Sequence, residues 1–196
     1  MADTIERPHL TLPEEEAAIV AEAYGAADVI LEYGSGGSTA LACDLGKRVF
    51  SVESDAAWCA MMQRWLNGQP HGPRITMHHA DIGKTGKWGR PVEPKAFRHF
   101  PGYPLSIWDR EDLEHPQVVL IDGRFRPACL LATAFRITRP VRVLFDDYVG
   151  RGAYHAIEQM FKPIRLHGRM AEFHITPTPI DPTRLNWVMG WFLRPQ

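Results

Sequence analysis

The segment from Val29 to Thr39 constrains the fold of this chain more than any other stretch of its sequence. It begins with an apolar run, Val29 to Leu31, of the kind found in strands that are buried on both faces of a parallel sheet. Three glycines follow it, Gly34, Gly36 and Gly37. Because glycine has no Cβ, the chain can turn tightly there and a ligand can lie against the peptide plane. A strand, a glycine loop and a helix in this order predict a site where backbone N–H groups and the positive end of a helix dipole face a ligand.

Two acidic residues give the glycine loop a more specific context. Glu32 ends the first strand, and a second predicted strand, Arg48 to Val52, is followed by Glu53. An acid in the position of Glu53 can accept hydrogen bonds from two ribose hydroxyl groups. A tight turn without a ligand is the alternative interpretation of the loop, and the two acids make it the weaker one.

Two more predicted strands also end at acids, Ile75 to Ala80 at Asp81 and Val118 to Ile121 at Asp122. With these motifs in this order, the chain resembles the class I S-adenosylmethionine-dependent methyltransferases over about residues 13 to 193. The sequence Glu32-x-Gly34-x-Gly36 is similar to their first motif and Asp122 to their fourth. The resemblance implies that Glu53 binds the ribose and Asp81 the adenine amino group of S-adenosylmethionine. The expected cofactor-binding residues are Glu32, Gly34, Ser35, Gly36, Ser38, Thr39, Glu53, Ser54, Asp81, Ile82 and Asp122.

The resemblance implies an α/β fold, Rossmann-like and doubly wound, in a single domain over residues 1–196. We expect a seven-stranded, mostly parallel sheet with an antiparallel last strand. Hydrophobic periodicity and turn residues predict helices at about 13–25, 37–45, 55–67, 127–135 and 152–161. Two further strands are predicted at 141–145 and 170–176, and a closing one at 186–192, joined to its neighbour by the proline-rich linker 177–185.

An irregular insertion is expected at about residues 83–116, where prolines recur at positions 91, 94, 101, 104 and 116. Prolines forbid regular ladders, whereas the aromatic residues between them would be unusual in a simple linker. Such an insertion opens at the carboxyl ends of the strands, where ligands bind in open α/β sheets. We hypothesise that His99 to Pro104 belongs to a substrate lid. A surface loop held by its aromatic side chains is the alternative.

Three carboxylates follow predicted strands on the ligand side, Asp122 after the fourth and Asp146 and Asp147 after the fifth. Their oxygen ligands would suit Mg²⁺, which could lower the pKa of a coordinated hydroxyl group. This layout resembles the metal-dependent O-methyltransferases of the catechol and macrocin type. The catechol type has a lysine base three residues after its first acid, where this chain has Phe125. Without a metal, Asp122 would lie near the methionine moiety and Asp146 would act as an acid or base.

The expected catalytic residues are Asp122, Asp146 and His155. His155 is predicted near the start of a helix at the ligand end, where it could act as a general base or be purely structural. Three arginines, Arg124, Arg126 and Arg151, are also expected near the strand ends. They could bind a carboxylate or phosphate on the methyl acceptor, or pair with the three aspartates.

The most specific functional prediction is methyl transfer to an oxygen of a small molecule or sugar. A nicotinamide-dependent oxidoreductase is one alternative, but its fingerprint requires glycine where this chain has Thr39. A non-catalytic protein that binds S-adenosylmethionine is the other. The clustered acids argue against it, because carboxylates repel one another unless a function retains them.

Composition limits the partners and the compartment. A net charge of −1 and a pI near 6.8 give no indication of a nucleic-acid or membrane surface. The three cysteines, Cys43, Cys59 and Cys129, are far apart, and we expect free thiols on helices in a reducing compartment. Residues 1–12 have no apolar core of a signal peptide. We therefore predict a cytoplasmic protein, with a homodimer as one option, that acts on a small-molecule acceptor.

Overall fold

Seven β-strands form one sheet in the computed structural model, which describes residues 5–195. The strands are β1 (Val29–Tyr33), β2 (Arg48–Glu53), β3 (Ile75–His79), β4 (Val118–Ile121), β5 (Val141–Phe145), β6 (Arg165–His167) and β7 (Met170–Ile175). The α-helices are α1 (Glu14–Ala26), α2 (Gly37–Asp44), α3 (Ala56–Asn67), α4 (Gly102–Leu105), α5 (Arg126–Arg136) and α6 (Leu185–Phe192). Short 3₁₀ helices cover Gly72–Arg74, Lys87–Gly89, Pro94–Arg98, Ser106–Asp109, Gly152–Gln159 and Pro182–Arg184.

The strand order is β3-β2-β1-β4-β5-β7-β6, and the first five strands are parallel. The last two are antiparallel, because β7 pairs with both β5 and β6 in that sense. The order reverses direction between β1 and β4, so the carboxyl ends of these two strands lie side by side. In open α/β sheets ligands bind at such a switch point.

Helices cover both faces of the sheet, as the alternation of side chains along β1 requires. Ile30 packs into a core with residues of α1, α2 and α3, whereas Leu31 packs into a larger core with α4, α5 and α6. Both side chains are fully buried. This confirms the expected doubly wound fold with a mostly parallel seven-stranded sheet and an antiparallel end.

The loops that follow β1 and β4 approach each other closely. Gly34 has a φ of +102°, and a Cβ added there would lie 2.9 Å from the backbone of Gly123. A Cβ on Gly123 would in turn overlap the hydroxyl group of Tyr103 and lie 3.0 Å from the backbone nitrogen of Gly34. Glycine is therefore required at both positions for the two loops to meet.

The prediction of a closing strand at residues 186–192 is wrong, because this stretch forms α6. Its buried residues, Val188, Trp191 and Phe192, recur at helical spacing and pack on α5. The antiparallel hairpin is made by β6 and β7, which a turn at Gly168 connects with a φ of +53°. The predicted helix at 152–161 is a 3₁₀ helix, Gly152–Gln159.

The irregular insertion divides into an exposed part and a buried part. Trp88, in the first part, is 73% exposed, whereas Phe100, Tyr103 and Trp108 belong to the core. The indole of Trp108 donates a hydrogen bond to the hydroxyl group of Tyr33 at 2.7 Å, and this hydroxyl group donates to the carbonyl oxygen of residue 104 at 2.8 Å. Phe100 and Tyr103 thus anchor the segment 99–104 in the core, which favours the alternative, a loop held by its aromatic side chains.

The three cysteines are free and buried, and they lie on α2, α3 and α5, as expected from their spacing. Within residues 5–195, none of the helices combines the length and the apolar character that a bilayer crossing would demand.

Candidate active site

A cavity of about 1060 Å³ opens at the carboxyl edge of the sheet. The glycine loop after β1 and the loops after β2, β4 and β5 form its floor. Two segments outside the sheet complete its walls, the stretch 5–12 before α1 and the 3₁₀ helix Lys87–Gly89. A space of this size is sufficient for a nucleoside cofactor together with a small second ligand.

The segment 5–12 runs directly over the start of α2. A Cβ added at Gly37 would overlap the backbone of His9 and Leu10, so only glycine allows this contact. By contrast, a Cβ added at Gly36 would meet nothing within 4 Å. The glycine loop therefore packs against protein at Gly34 and Gly37 and is open at Gly36, where a ligand can approach the backbone.

Glu32 lies beneath the glycine loop and does not line the cavity. It is fully buried and accepts hydrogen bonds from the hydroxyl groups of Tyr24 and Thr39, both at 2.6 Å. Thr39 in turn accepts a hydrogen bond from the backbone N–H of Gly36 at 3.0 Å. Burial raises the pKa of Glu32, although these hydrogen bonds act in the opposite direction. Glu32 and Thr39 were expected to contact the cofactor, but the structure gives them the role of fixing the loop.

Glu53 lines the cavity, and its carboxylate is held rigidly at the end of β2. One carboxylate oxygen accepts hydrogen bonds from the backbone N–H groups of Ser54 and Asp55, at 2.7 and 2.9 Å. The other accepts from the hydroxyl group of Ser35 at 2.9 Å. The side chain is thus oriented by the backbone of its own loop and placed beside the glycine loop, where a ribose would meet both.

Trp58, in the first turn of α3, contributes to the cavity wall. Trp58 is 40% exposed, and its indole N–H donates a hydrogen bond to the carbonyl oxygen of Ser35 at 3.1 Å. Met61, one turn further along α3, also lines the cavity. Their helical spacing was visible in the sequence, but a helical stripe cannot by itself show which members face a ligand and which face the sheet.

Asp81 and Ile82 lie outside the lining of the cavity. Asp81 is exposed, and its carboxylate accepts a hydrogen bond from the backbone N–H of Gly83 at 2.8 Å. Ile82 is fully buried in the core. The expected adenine contact of Asp81 therefore has no counterpart in the geometry, because its carboxylate is engaged in a local turn. Ser35, Gly36, Ser38, Ser54 and Asp122, also expected at the cofactor, do line the cavity.

Three aspartates and three arginines form a charged cluster where β4 and β5 end. The cluster comprises Asp122, Asp146, Asp147, Arg126, Arg151 and Arg169. Asp146 is fully buried, and Arg169 donates to its two carboxylate oxygens at 2.9 and 2.8 Å. This two-pronged contact is the strongest pairing that a guanidinium group makes with a carboxylate.

Of the other two aspartates, Asp122 pairs with Arg126, and Asp147 pairs with all three arginines. Asp122 lies 3.2 Å from Arg126, and Asp147 lies 3.2 Å from Arg126 and 2.9 Å from Arg151. The prediction left open whether these arginines pair with the aspartates, and the structure shows that Arg126 and Arg151 do. Arg169 was missed because it precedes β7, far along the chain, and nothing in the sequence next to it indicates a site.

The pKa values of Asp122 and Asp146 move in opposite directions. Burial raises the pKa of Asp122 to about 7; Arg126 acts against this, while the charges of Asp146 and Asp147 add to it. For Asp146, burial again acts upward, but the hydrogen bonds from Arg169 and the contact with Asp122 lower its pKa overall. The side chain of Asp122 is 30% exposed, so it remains accessible from the cavity. Two carboxyl groups with separated pKa values can take separate roles in proton transfer.

The backbone is strained at the same two loops. Phe125 and Asp147, which follow β4 and β5, have φ values of +52° and +58°. Left-handed conformations cost residues other than glycine about 1–3 kcal/mol and occur mainly where surrounding structure imposes them. The loops that carry the charged cluster are therefore held in one conformation by their neighbours.

The cluster does not fit a divalent cation. Each of the three expected ligands, Asp122, Asp146 and Asp147, is already paired with arginine, and a Mg²⁺ ion there would lie among three guanidinium charges. Among residues 5–195, no group of three or more His, Cys, Asp and Glu side chains is arranged to hold a metal. The expected magnesium site is not supported.

His155 does not reach the cavity. It is exposed on the 3₁₀ helix Gly152–Gln159, and its Nε2 lies 3.1 Å from the carbonyl oxygen of Tyr148. Its ring also packs against that of Tyr148, with centroids 4.9 Å apart. The expected role as a general base is therefore wrong for this geometry, since the ring is turned to its own loop.

Comparison with solved structures finds similar proteins over most of the chain. A methyltransferase-like protein from Silicibacter pomeroyi is 49% identical, with a TM-score of 0.90, and the match covers 96% of this chain and 99% of that protein. The O-methyltransferase TomG from Streptomyces achromogenes, solved with S-adenosylmethionine, is 14% identical with a TM-score of 0.58, covering 86% and 82%. A S-adenosylmethionine-dependent O-methyltransferase from Thermotoga maritima is 12% identical with a TM-score of 0.53, covering 89% and 69%. No protein-family model and no curated protein matches the chain.

Proposed function

Because the chain belongs to the class I S-adenosylmethionine-dependent methyltransferases, we propose that it methylates an oxygen atom of a small-molecule acceptor, with Asp122 as the general base. The cofactor would occupy the cavity of about 1060 Å³ at the carboxyl edge of the sheet. The acceptor would occupy the part of the same cavity that lies against the charged cluster.

The residues around the glycine loop fit S-adenosylmethionine. Glu53 presents a fixed carboxylate that can accept hydrogen bonds from both ribose hydroxyl groups. The loop leaves its backbone open at Gly36, and Ser35 and Ser38 add hydroxyl groups beside it. When bound, this cofactor supplies an electrophilic methyl group on a positively charged sulfur.

The proposal of a hydroxyl acceptor depends on the raised pKa of Asp122 and on its position at the cavity. A hydroxyl group is a weak nucleophile until its proton is removed, and a base with a pKa near the working pH does this best. The pKa of Asp122 is raised to about 7, and its carboxylate faces the cavity. Asp146, with a lowered pKa and two hydrogen bonds from Arg169, would stay ionised and favour the proton on Asp122. We therefore assign proton abstraction to Asp122 and electrostatic support to Asp146.

The proposal does not include a metal, because the aspartates that would bind it are paired with arginines. The two O-methyltransferases compared above are 14% and 12% identical to this chain, so that likeness is one of fold. The support for an oxygen acceptor comes from Asp122 alone. A small acceptor is favoured over a nucleic acid because the net charge of the chain is −1.

Methyl transfer from deuterium-labelled S-adenosylmethionine to a panel of hydroxyl and amine compounds, followed by mass spectrometry, tests this proposal. We expect labelled products from hydroxyl compounds, unchanged turnover in EDTA, and a loss of about 100-fold or more in kcat for Asp122→Asn. Affinity for S-adenosylhomocysteine should stay within about threefold in this variant, because Asp122 acts on the acceptor. Transfer to amines alone, or full activity of Asp122→Asn, would contradict the proposal.

A further inference from the structure

Arg124 is a buried arginine whose guanidinium group forms no ion pair within residues 5–195. It lines the cavity two residues after Asp122, and it is 8% exposed. Within residues 5–195 its Nε is buried without a hydrogen-bond partner, and no carboxylate is paired with its guanidinium group. Burial lowers the pKa of Arg124, and the nearby charge of Arg126 adds to this effect. An arginine nevertheless stays charged at neutral pH, so the protein holds an uncompensated positive charge here.

The other arginines of the cavity differ from Arg124 in this respect. Arg126, Arg151 and Arg169 each pair with at least one aspartate at 2.8–3.3 Å. Removing a charge from water is costly unless an opposite charge compensates it. Since the aspartates nearby are already paired, an anionic ligand in the cavity could supply the compensating charge for Arg124.

Within residues 5–195, a second buried polar group near Arg124, the hydroxyl group of Tyr154, also makes no hydrogen bond of good geometry. The guanidinium group of Arg151 lies 5.7 Å from the ring of Tyr154. Arg90 is near enough to act on Arg124 as well. We call these four residues, Arg90, Arg124, Arg151 and Tyr154, the arginine wall.

A smaller cavity of about 480 Å³ lies beside the large one, and Arg90, Arg151 and Tyr154 help to line it. Arg151 lines both spaces, and Arg124 faces the larger one. Asp122, Arg124 and Arg151 line the same cavity, so a molecule with a hydroxyl group at Asp122 can reach the arginine wall with its other end.

We propose that the arginine wall binds an anionic group of the methyl acceptor, a carboxylate or a phosphate, and that the acceptor is thus a hydroxyl compound with a negatively charged end. This rests on the proposed function in one point, namely that the acceptor hydroxyl group lies at Asp122. Guanidinium groups bind both kinds of anion through paired N–H donors, and the hydroxyl group of Tyr154 supplies one more donor. The anion would bind the two buried groups, Arg124 Nε and the Tyr154 hydroxyl group, that have no hydrogen-bond partner among residues 5–195.

Calorimetry with inorganic phosphate and, separately, with malonate tests the proposal on protein saturated with S-adenosylhomocysteine, at constant ionic strength set with NaCl. We expect one site per chain for at least one of the two anions, and the preferred anion distinguishes a phosphate from a carboxylate acceptor. Arg124→Gln should raise the Kd about tenfold or more, and Tyr154→Phe about threefold to tenfold. Arg165→Gln, which changes an exposed arginine on β6, should leave the Kd unchanged. Absence of binding of both anions to the unaltered protein, or equal affinity in Arg124→Gln, would overturn the proposal.

Two controls separate this proposal from its alternatives. If Arg124 instead paired with the carboxylate of the cofactor, Arg124→Gln would weaken S-adenosylhomocysteine about tenfold, whereas we expect less than a threefold change. The melting temperature of Arg124→Gln should equal or exceed that of the unaltered protein, because an unpaired charge is removed. A lower melting temperature would mean that Arg124 has a partner within the protein. Phosphate binding without the cofactor is measured in parallel, so a failure to bind S-adenosylhomocysteine counts against the proposed function alone.

Discussion

Asp122 combines a raised pKa with a position at the cavity, and this has a consequence for stability. A carboxyl group whose pKa is higher in the folded protein than in the unfolded chain binds its proton more tightly when folded. Its contribution to stability is fully present below the unfolded pKa and is lost as the pH rises through the folded value. For Asp122 the loss extends from about pH 4 to about pH 7.

Asp122→Asn removes this titration. We therefore expect the difference in melting temperature, variant minus unaltered protein, to be larger at pH 8 than at pH 5. Thermal unfolding at both pH values measures this difference, with Asp109→Asn, an exposed aspartate outside the cavity, as the control. An identical difference at both pH values would show that the pKa of Asp122 is not raised by folding.

Glu53 and Asp81 give a second contrast between single residues. Glu53 lines the cavity and is held by two backbone N–H groups, whereas Asp81 is exposed and lies outside the lining. Glu53→Gln should weaken S-adenosylhomocysteine about 10- to 100-fold, because hydrogen bonds to a charged acceptor contribute about 1.5–3 kcal/mol each. Asp81→Asn should change the Kd less than about threefold in the same calorimetric titration. Comparable losses of affinity for S-adenosylhomocysteine in the two variants would show that Asp81 does contact the cofactor.

Sequence reasoning identified the positions of the site residues better than the directions of their side chains. Glu53 and Asp122 follow buried strands, and the parallel sheet brings such positions to one edge, where both line the cavity. Glu32 and His155 were expected there too, but Tyr24 and Tyr148 bind them elsewhere. These partners lie on other elements or in loops whose conformation only the folded chain defines, so no local pattern could reveal them.

The contact between the loops after β1 and β4 determines the shape of the site at the level of elements. A Cβ on Gly123 would overlap Tyr103 and press on the loop after β1. Gly123→Ala should therefore cost about 1–3 kcal/mol of unfolding free energy, a drop of about 5 °C in melting temperature for a chain of this length.

Gly150→Ala is the matched control for this prediction, because a Cβ there would meet nothing within 4 Å. Its melting temperature should stay within about 1 °C of the unaltered protein. Equal stability of Gly123→Ala and Gly150→Ala in thermal unfolding would mean that the two loops are not in contact.

Most elements were predictable, and the failure at α6 has a clear reason. Strands β1 to β5 and helices α1, α2, α3 and α5 follow hydrophobic periods and turn residues that the sequence displays. In residues 186–192 nearly every position is apolar, so a buried strand and a buried helix give the same pattern. Packing on α5 decides in favour of the helix. The short strand β6 lacks an apolar run and was missed for that reason.

At the scale of the whole molecule, the cavity is completed by parts of the chain that lie outside the sheet. The segment 5–12 forms one wall and packs its backbone at His9 and Leu10 on Gly37 of α2. The ion pair between Arg7 and Asp44 adds a second link to α2, which is exposed and of a kind that contributes little to stability. Lys87–Gly89, from the exposed part of the insertion, forms another wall. The sequence placed the insertion at the ligand edge of the sheet, but no motif indicated the segment 5–12.

The account as a whole depends on a nucleoside cofactor in this cavity, held by Glu53 and the glycine loop. Calorimetric titration of the unaltered protein with S-adenosylhomocysteine, once in EDTA and once in Mg²⁺, tests that dependence most directly. We predict binding of one molecule per chain with the same Kd in both buffers, because the carboxylates that would hold a metal are paired with arginines. Absence of binding heat in both buffers would contradict the cofactor site, and binding only in Mg²⁺ would contradict the assignment of the charged cluster.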